Sequence, residues 1–309
     1  MNPPQAMDGA SLQRALVGYQ RMSEIVRREM LEPEAVAGGD NNTLRKTMES
    51  GIRVLSRRYA ATNHPIELFE AEIRDIWYMF TVAAQNIEAH HPAQDRLLRI
   101  IMRARHRGVL QRMTHEGGQL AMTSQGRIWV DLPFLVQDVR SAWKKVMEPP
   151  ALFDQRRNLT SAIARLASSG VCGHKFSQCG LEIMKLALEV APMPPSSSDS
   201  SYGSGHSEED LALVEIWLSY AGEDLLRLCL TASTDSDSSW SLDGQDSVGP
   251  LARQAGVEPT AVYSRERFLF WKDRLARLTA EAELESAVEA WCAHMITGVW
   301  DDYFGILPF

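Results

Sequence analysis

The sequence predicts an all-α protein, a single multi-helix bundle-like domain of about ten helices with two disordered polar linkers. Apolar residues recur at spacings of three and four along most of the 309-residue chain. No segment shows the sustained alternation of apolar and polar residues that indicates a half-buried strand. The breaks in the apolar pattern are concentrated in two segments rich in Ser, Pro, Asp and Gly. We therefore expect almost no strand.

The first two predicted helices cover residues 10–31 and 44–59. The first carries an apolar stripe that includes Leu12, Leu16 and Tyr19, and the second carries Met48, Ile52 and Leu55. Residues 40–43 are Asp, Asn, Asn and Thr, all of which can cap a helix by accepting a bond from a free backbone N–H. These spacings place each apolar set on one helical face.

Three prolines mark the starts of the next three helices. Pro65, Pro92 and Pro133 each precede a strongly periodic segment. A proline in the first turn costs the helix no hydrogen bond, because that turn has no acceptor for its N–H. The sequence predicts helices over residues 66–89, 93–115 and 134–147.

The remaining predicted helices cover residues 158–168, 176–190, 208–230, 264–280 and 283–299. Ser207-Glu208-Glu209-Asp210 has the pattern of a capping box at the start of the third of these. Residues 192–207 and 233–249 hold too few apolar side chains to offset the entropy of ordering, so we predict disordered insertions there. The expected organisation is N-terminal helices over 1–62 and a helical domain over 63–300.

Charge differs between the two parts of the chain. Residues 1–191 contain 25 Lys and Arg against 20 Asp and Glu, whereas residues 192–309 contain 7 against 20. Either the two parts pack against each other or the first offers a basic surface to an anionic partner. With no apolar signal segment and no run long enough to span a bilayer, we expect a soluble protein of the cytoplasm or nucleus and no membrane partner.

No established catalytic motif is present, so no catalytic residue is assigned and no cofactor is expected. The phosphate-binding loop, the nucleophile elbow and the paired-histidine zinc motif are all missing. Cys172, His174 and Cys179 could be metal ligands, but a turn between helices explains them better because no zinc module has this spacing. The pair Asp301-Asp302 lacks the third carboxylate of a magnesium motif. We predict no metal site.

Two clusters are candidate binding residues. His91 and Asp95 lie one helical turn apart and, with Trp129, could line a pocket between helices; the alternative is that His91 caps the helix and Asp95 complements its dipole. The second cluster is a basic stripe at spacings of three and four that could bind an anion, formed by Arg96, Arg99, Arg103 and Arg107. The alternative is a solvated face that pairs with the acidic part of the chain. An acidic pI and the lack of interleaved aromatics argue against nucleic acid.

Tryptophan-containing motifs carry a resemblance to a known family. The motifs are Trp77, His90 to Leu98, Trp129 to Phe134 with Trp143, Ser264 to Lys272, and Ala290 to Met295. In this order they resemble a family of helical proteins from filamentous fungi that is classified as a domain of unknown function. The resemblance spans about residues 66–296, implies a helical fold and transfers no catalytic residue. We interpret four tryptophans as buried structural side chains on apolar helical faces, namely Trp77, Trp143, Trp271 and Trp291. Trp240, in the second polar linker, is the exception.

The sequence therefore predicts a non-catalytic interaction or scaffold protein with an unknown protein partner. The alternative is a small-molecule-binding protein or an accessory enzyme that uses the pocket near His91, Asp95 and Trp129. A closed apolar cavity with His91 or Asp95 pointing into it would favour the alternative.

Overall fold

The computed structural model describes residues 9–30, 41–115, 117–148, 151–191, 208–231, 248–259, 262–281 and 298. Within these ranges it contains ten α-helices, one π-helical segment and five short strands. The prediction of a predominantly helical protein is confirmed. The chain divides into two compact units, Met1–Ala162 and Ile163–Phe309.

The first unit is built from six helices and two small hairpins among its described residues. In chain order these are α1 Gly9–Met30, α2 Asn41–Ala61, α3 Ile66–Asn86, α4 Ala93–His106, β1 Gln111–Thr114, β2 Gly117–Leu120, β3 Met122–Thr123, β4 Gly126–Arg127, α5 Leu135–Met147 and α6 Phe153–Ser168. Helix α6 continues past the end of the unit. As the prolines predicted, α3 and α4 begin directly after Pro65 and Pro92. Helix α5 begins two residues after Pro133 because Phe134 has a left-handed backbone, with φ 65°.

The helix predicted over residues 93–115 is too long, and the expectation of almost no strand is wrong in this part of the chain. Helix α4 ends at His106, and Gly108 follows with φ 71°. This left-handed conformation suits glycine and ends helices. The chain then forms two antiparallel hairpins, β1 with β2 and β3 with β4.

Buried tryptophans tie the elements of the first unit together. Trp77 donates its indole N–H to the carbonyl of Pro133 at 2.8 Å, and Trp129 donates to the hydroxyl of Ser56 at 2.9 Å. Trp143 donates to the hydroxyl of Thr160 at 3.2 Å. All three rings are buried. The interpretation of Trp77 and Trp143 as structural is confirmed by their burial and their bonds.

Two side-chain amides, those of Gln94 and Asn158, bond the turn between α3 and α4, and Asn158 joins this turn to α6. The side-chain amide of Gln94 donates to the carbonyl of Ile87 at 2.7 Å. The side-chain amide of Asn158, on α6, donates to the carbonyl of Gln85 at 2.9 Å. These bonds satisfy carbonyls at the C-terminal end of α3, which have no partner inside the helix.

The second unit contains β5 Val171–His174, α7 Ser177–Met184, a π-helical segment Lys185–Glu189, α8 Glu208–Thr231, α9 Pro250–Gln254 and α10 Arg265–Glu281. The predicted helix over 176–190 therefore changes from α to π after Met184. Helix α8 runs almost as predicted, with a kink at Ala221, where φ is −138°. Gly180 lets α7 and α8 approach, since a Cβ there would lie 2.1 Å from the indole of Trp217.

The second predicted linker ends too late. Its last two residues, Val248 and Gly249, are buried, and Val248 packs with Ala252, Val257 and Phe270. This boundary is not visible in the sequence, because residues 233–247 are polar and a single valine after them produces no apolar repeat. Several predictions lie outside the described residues. They are the linker over 192–207 with the cap Ser207, residues 233–247 with Trp240, the helix over 283–299 apart from residue 298, Trp291, and Asp301-Asp302.

Two deletions test this corrected boundary. Removing residues 233–247 is expected to leave the melting temperature and the helical circular dichroism signal nearly unchanged. Removing 233–249 is expected to lower the melting temperature clearly, because it also removes buried Val248 and the backbone N–H of Gly249, which donates to Glu189 at 2.5 Å. Equal melting temperatures for the two deletions would show that Val248 and Gly249 do not belong to the packed structure.

Candidate functional site

The predicted basic stripe lies on the exposed side of α4. Arg96, Arg99, Arg103 and Arg107 are all exposed, whereas Leu97, Ile100, Ile101 and Ala104 are buried. Arg103 Nη1 lies 3.7 Å from Glu49 Oε1, and that carboxylate also accepts from Arg45 at 3.0 Å. We call the four exposed arginines the arginine face. Its anion-binding role stays a prediction, since the geometry establishes exposure and not binding.

The β1–β2 hairpin follows the arginine face along the chain and is firmly anchored. The guanidinium of Arg112 points inward, donating to the carbonyls of Thr62 at 2.9 Å and His64 at 2.8 Å. It also lies 4.8 Å from the ring centroid of Tyr59. The hydroxyl of Tyr59 donates to the carbonyl of Leu120 at 2.8 Å, while burial raises the pKa of this phenol and Arg112 opposes that effect. These contacts fix the hairpin to the C-terminal end of α2.

The outer side of this hairpin exposes apolar side chains. Side chains directly opposite each other in an antiparallel pair point to the same side. The pairing of Gln111 with Leu120 and of Met113 with Gly118 therefore places Met113 and Leu120 together on the outer side. Their exposed fractions are 77% and 43%, and Met102 on α4 is 45% exposed.

Charge has one sign along the sequence from α4 to the hairpin, and the nearby carboxylate of Glu49 belongs to α2. From Arg96 to His115 the sequence contains six arginines and two histidines, and no aspartate or glutamate. Five of the arginines are exposed, and the sixth is the anchoring Arg112. Basic side chains in the last turn of α4 also complement the negative end of the helix dipole. This stretch of the chain combines concentrated positive charge with exposed methionines, a composition suited to binding an acidic partner.

The residues of the predicted pocket lie in different surroundings. His91 is exposed and precedes the N-cap residue Pro92; its ring Nδ1 accepts the backbone N–H of Ala93, the first residue of α4, at 3.1 Å. Asp95 is partly exposed in the first turn of α4. Trp129 is buried and bonded to Ser56 on α2. The pocket that would join these residues remains a prediction.

A buried cluster around Glu189 was not predicted from the sequence. Glu189 and Arg267 are both 0% exposed and form an ion pair, with Arg267 Nε 2.6 Å from Glu189 Oε1 and Nη2 3.0 Å from Oε2. The indole N–H of Trp271 donates to Oε1 at 2.7 Å, and the backbone N–H of Gly249 donates to Oε2. One carboxylate thus joins the π-helical segment, the residue before α9, and α10.

This cluster excludes bulk solvent and is closely packed. A Cβ on Gly249 would lie 2.5 Å from the Cβ of Glu189. Arg267 also donates to the carbonyl of Val262 at 2.6 Å. Burial raises the pKa of the neighbouring Cys229 thiol to about 12, although the positive charge of Arg267 opposes the rise. The carboxylate accepts four bonds from inside the unit, an arrangement that stabilises the structure.

The cysteines and histidine that could have been metal ligands are spread over β5 and α7. His174 Nδ1 lies 4.0 Å from Asp224 Oδ1, and Asp224 also accepts from the hydroxyl of Ser177 at 3.0 Å. In the part of the chain that the structure describes, no three His, Cys, Asp or Glu side chains are grouped as metal ligands. None of the helices described is both long and apolar enough to cross a membrane.

Two signals could have revealed the hairpin in advance. Gly108 follows a basic last turn, which is typical of the end of a helix. Gly117-Gly118 then follows Glu116 between two short segments, which indicates a tight turn. The Glu189 cluster has no comparable local signal.

Comparisons with known proteins agree with the resemblance found in the sequence. The chain is 27% identical over 263 residues to a protein named Oxopyrrolidines biosynthesis cluster protein G from Penicillium oxalicum, a match that covers 81% of this chain and 71% of that protein. No solved structure is significantly similar to the chain. A family model described as Protein of unknown function (DUF3632) matches residues 77–275. Since this match covers well over half of the sequence, the chain belongs to that family.

Proposed function

We propose that this protein is a non-catalytic interaction protein whose arginine face binds an acidic segment of a partner protein. The observation that carries the proposal is the stretch of sequence from Arg96 to His115, which contains exposed arginines and methionines and no acidic residue. Carboxylates are suitable partners because a guanidinium can donate two parallel bonds to one of them.

The affinity would come from the set of arginines acting together. A single exposed ion pair contributes only about 0–1 kcal/mol and is screened by salt. Several charges of one sign raise the rate of encounter with an oppositely charged partner and can contribute as a network. Met102 and Met113 add apolar contact area, and methionine adapts to differently shaped partners. Binding should therefore weaken as the salt concentration rises.

The similar protein from Penicillium oxalicum is named for a biosynthesis cluster, and that name assigns no reaction to it. We propose by extension that the partner of the present chain is another protein of a biosynthetic pathway. The proposal differs from the accessory-enzyme alternative in requiring an accessible surface and no closed pocket.

A photo-crosslinking residue at Met102 tests the proposal in cells. We expect a discrete crosslinked protein that is lost in the Arg99→Glu/Arg103→Glu variant, because charge reversal repels an acidic segment. The matched control is Lys144→Glu/Lys145→Glu on α5, which changes the net charge equally and should retain the crosslink. Circular dichroism melting checks that both variants remain folded.

Two results would contradict the proposal. The first is that the arginine and lysine double variants, both folded, behave alike: either both retain the crosslink or both lose it. The second is a small molecule that remains bound to the purified chain in native mass spectrometry and is released by His91→Ala. That result would favour the pocket near His91, Asp95 and Trp129.

A further inference from the structure

Strand β1, which follows the arginine face along the chain, has a free edge. The backbone N–H of Ala121 donates to the carbonyl of Leu110 at 2.8 Å. Bonded and non-bonded pairs alternate along an antiparallel ladder. The bonded pairs are therefore Leu110 with Ala121, then Arg112 with Gln119, then Thr114 with Gly117.

This alternation directs the backbone N–H and C=O groups of Gln111 and Met113 away from β2. Both residues are exposed, and no hydrogen bond from these outward groups reaches another described residue. The opposite edge differs, since the outward carbonyl of Leu120 on β2 accepts from Tyr59. Strand β1 therefore presents two N–H donors and two C=O acceptors to solvent, which is the pattern that an added strand can pair with.

The side chains around this edge indicate which strand would fit. Arg105 and Arg107 lie at the end of α4, so positive charge precedes β1 along the chain. Val109 and Met113 are exposed after these arginines. An extended segment that alternates acidic and apolar residues would place carboxylates near the arginines and apolar side chains on Met113.

We propose that the partner binds by β-strand addition, with an extended acidic segment forming a third strand against β1. This inference rests on the proposed function and names the binding mode. The anchored hairpin supports it, because Arg112 and Tyr59 hold β1 in place before the partner arrives and so reduce the ordering that binding requires.

A nucleic acid would use this surface differently. Its phosphates could accept from the arginines, but a sugar-phosphate chain cannot form the paired N–H and C=O bonds of a ladder. The exposed fractions of Met102 and Met113 favour a partner with apolar side chains. A test of backbone pairing therefore distinguishes an acidic protein segment from a nucleic acid.

The experiment uses the full chain and a fluorescent peptide of eight residues that alternates Val and Glu. We expect salt-sensitive binding that weakens at least about tenfold when the backbone amides facing β1 are N-methylated. In the control peptide the amides on the other edge are N-methylated, and binding should persist. Two-dimensional NMR should show slower hydrogen exchange at the amides of Gln111 and Met113 when the peptide binds.

Charge is tested separately with the same peptide. Arg99→Glu/Arg103→Glu should weaken binding at least about tenfold, whereas Lys144→Glu/Lys145→Glu should leave it within about twofold. If both N-methylated peptides bind equally but Arg99→Glu/Arg103→Glu still abolishes binding, strand addition is wrong and the acidic-partner function stands. Absence of peptide binding, or complete competition by a single-stranded oligonucleotide at lower concentration, also overturns strand addition.

Discussion

Glu189→Ala is expected to destabilise the second unit severely. The substitution removes the acceptor for the guanidinium of Arg267, the indole N–H of Trp271 and the backbone N–H of Gly249. The charge of Arg267 would then remain buried without its partner. Removing one member of a buried ion pair costs about 3–5 kcal/mol. A natural domain is stable by about 5–15 kcal/mol, so partial unfolding or loss of expression is the expected result.

Urea unfolding of the variants measures this effect. The control Glu223→Ala removes an exposed glutamate of α8 and should change the free energy of unfolding by less than about 0.5 kcal/mol. The double variant Glu189→Leu/Arg267→Leu leaves no unpaired charge, so it should be more stable than Glu189→Ala. If the double variant is no more stable than Glu189→Ala, the unpaired charge is not the cause of the loss.

The helices were predictable because their signals are local. An apolar face repeats every three or four residues, and Pro65, Pro92 and Pro133 mark three helix starts within the same few residues of sequence. The observed helix ends differ from the predicted ones where the backbone conformation of one residue determines where a helix begins or ends. Gly108 ends α4 early, and Phe134 delays α5 by one residue. Neither residue changes the spacing of the apolar side chains, so the spacing alone could not reveal the early end of α4 or the late start of α5.

The candidate site was predictable only in part. The spacing of the arginines placed Arg96, Arg99, Arg103 and Arg107 on one face, and the structure shows that all four are exposed. The neighbouring edge of β1 was missed because residues 111–114 were assigned to the helix. Exposed apolar residues on a short hairpin look, in sequence, like the end of an amphipathic stripe. Once the strand is recognised, the alternation of Arg112 inward and Met113 outward follows from its geometry.

The Glu189 cluster could not be predicted because its members are far apart in sequence. Glu189 meets Gly249, Arg267 and Trp271 at separations of 60, 78 and 82 residues. A lone glutamate at the end of an apolar segment carries no sign of its partner. The cluster explains why Arg267 and Trp271 stand four residues apart in the Ser264 to Lys272 motif: one helical turn presents both donors to one carboxylate. The motif is therefore structural.

Trp271→Ala is the second substitution with a large expected effect. Trp271 is buried, as the sequence predicted, and shares one helical face with Phe268 and Leu275, whereas Asp273 points outward. Its ring packs edge-on against Phe268, with centroids 6.2 Å apart. Removing the ring loses transfer free energy and leaves a cavity, at a typical cost of about 3–5 kcal/mol. It also removes one of the two donors to Glu189 Oε1.

Two further variants separate packing from hydrogen bonding. Trp271→Phe keeps most of the apolar ring and loses the N–H, so it should destabilise less than Trp271→Ala. Asp273→Ala, at an exposed position on the same helix, should melt like the parent. Thermal melting followed by circular dichroism gives the order Asp273→Ala, Trp271→Phe, Trp271→Ala from highest to lowest melting temperature. A Trp271→Ala protein that melts like the parent but no longer binds a partner would instead identify Trp271 as a recognition residue.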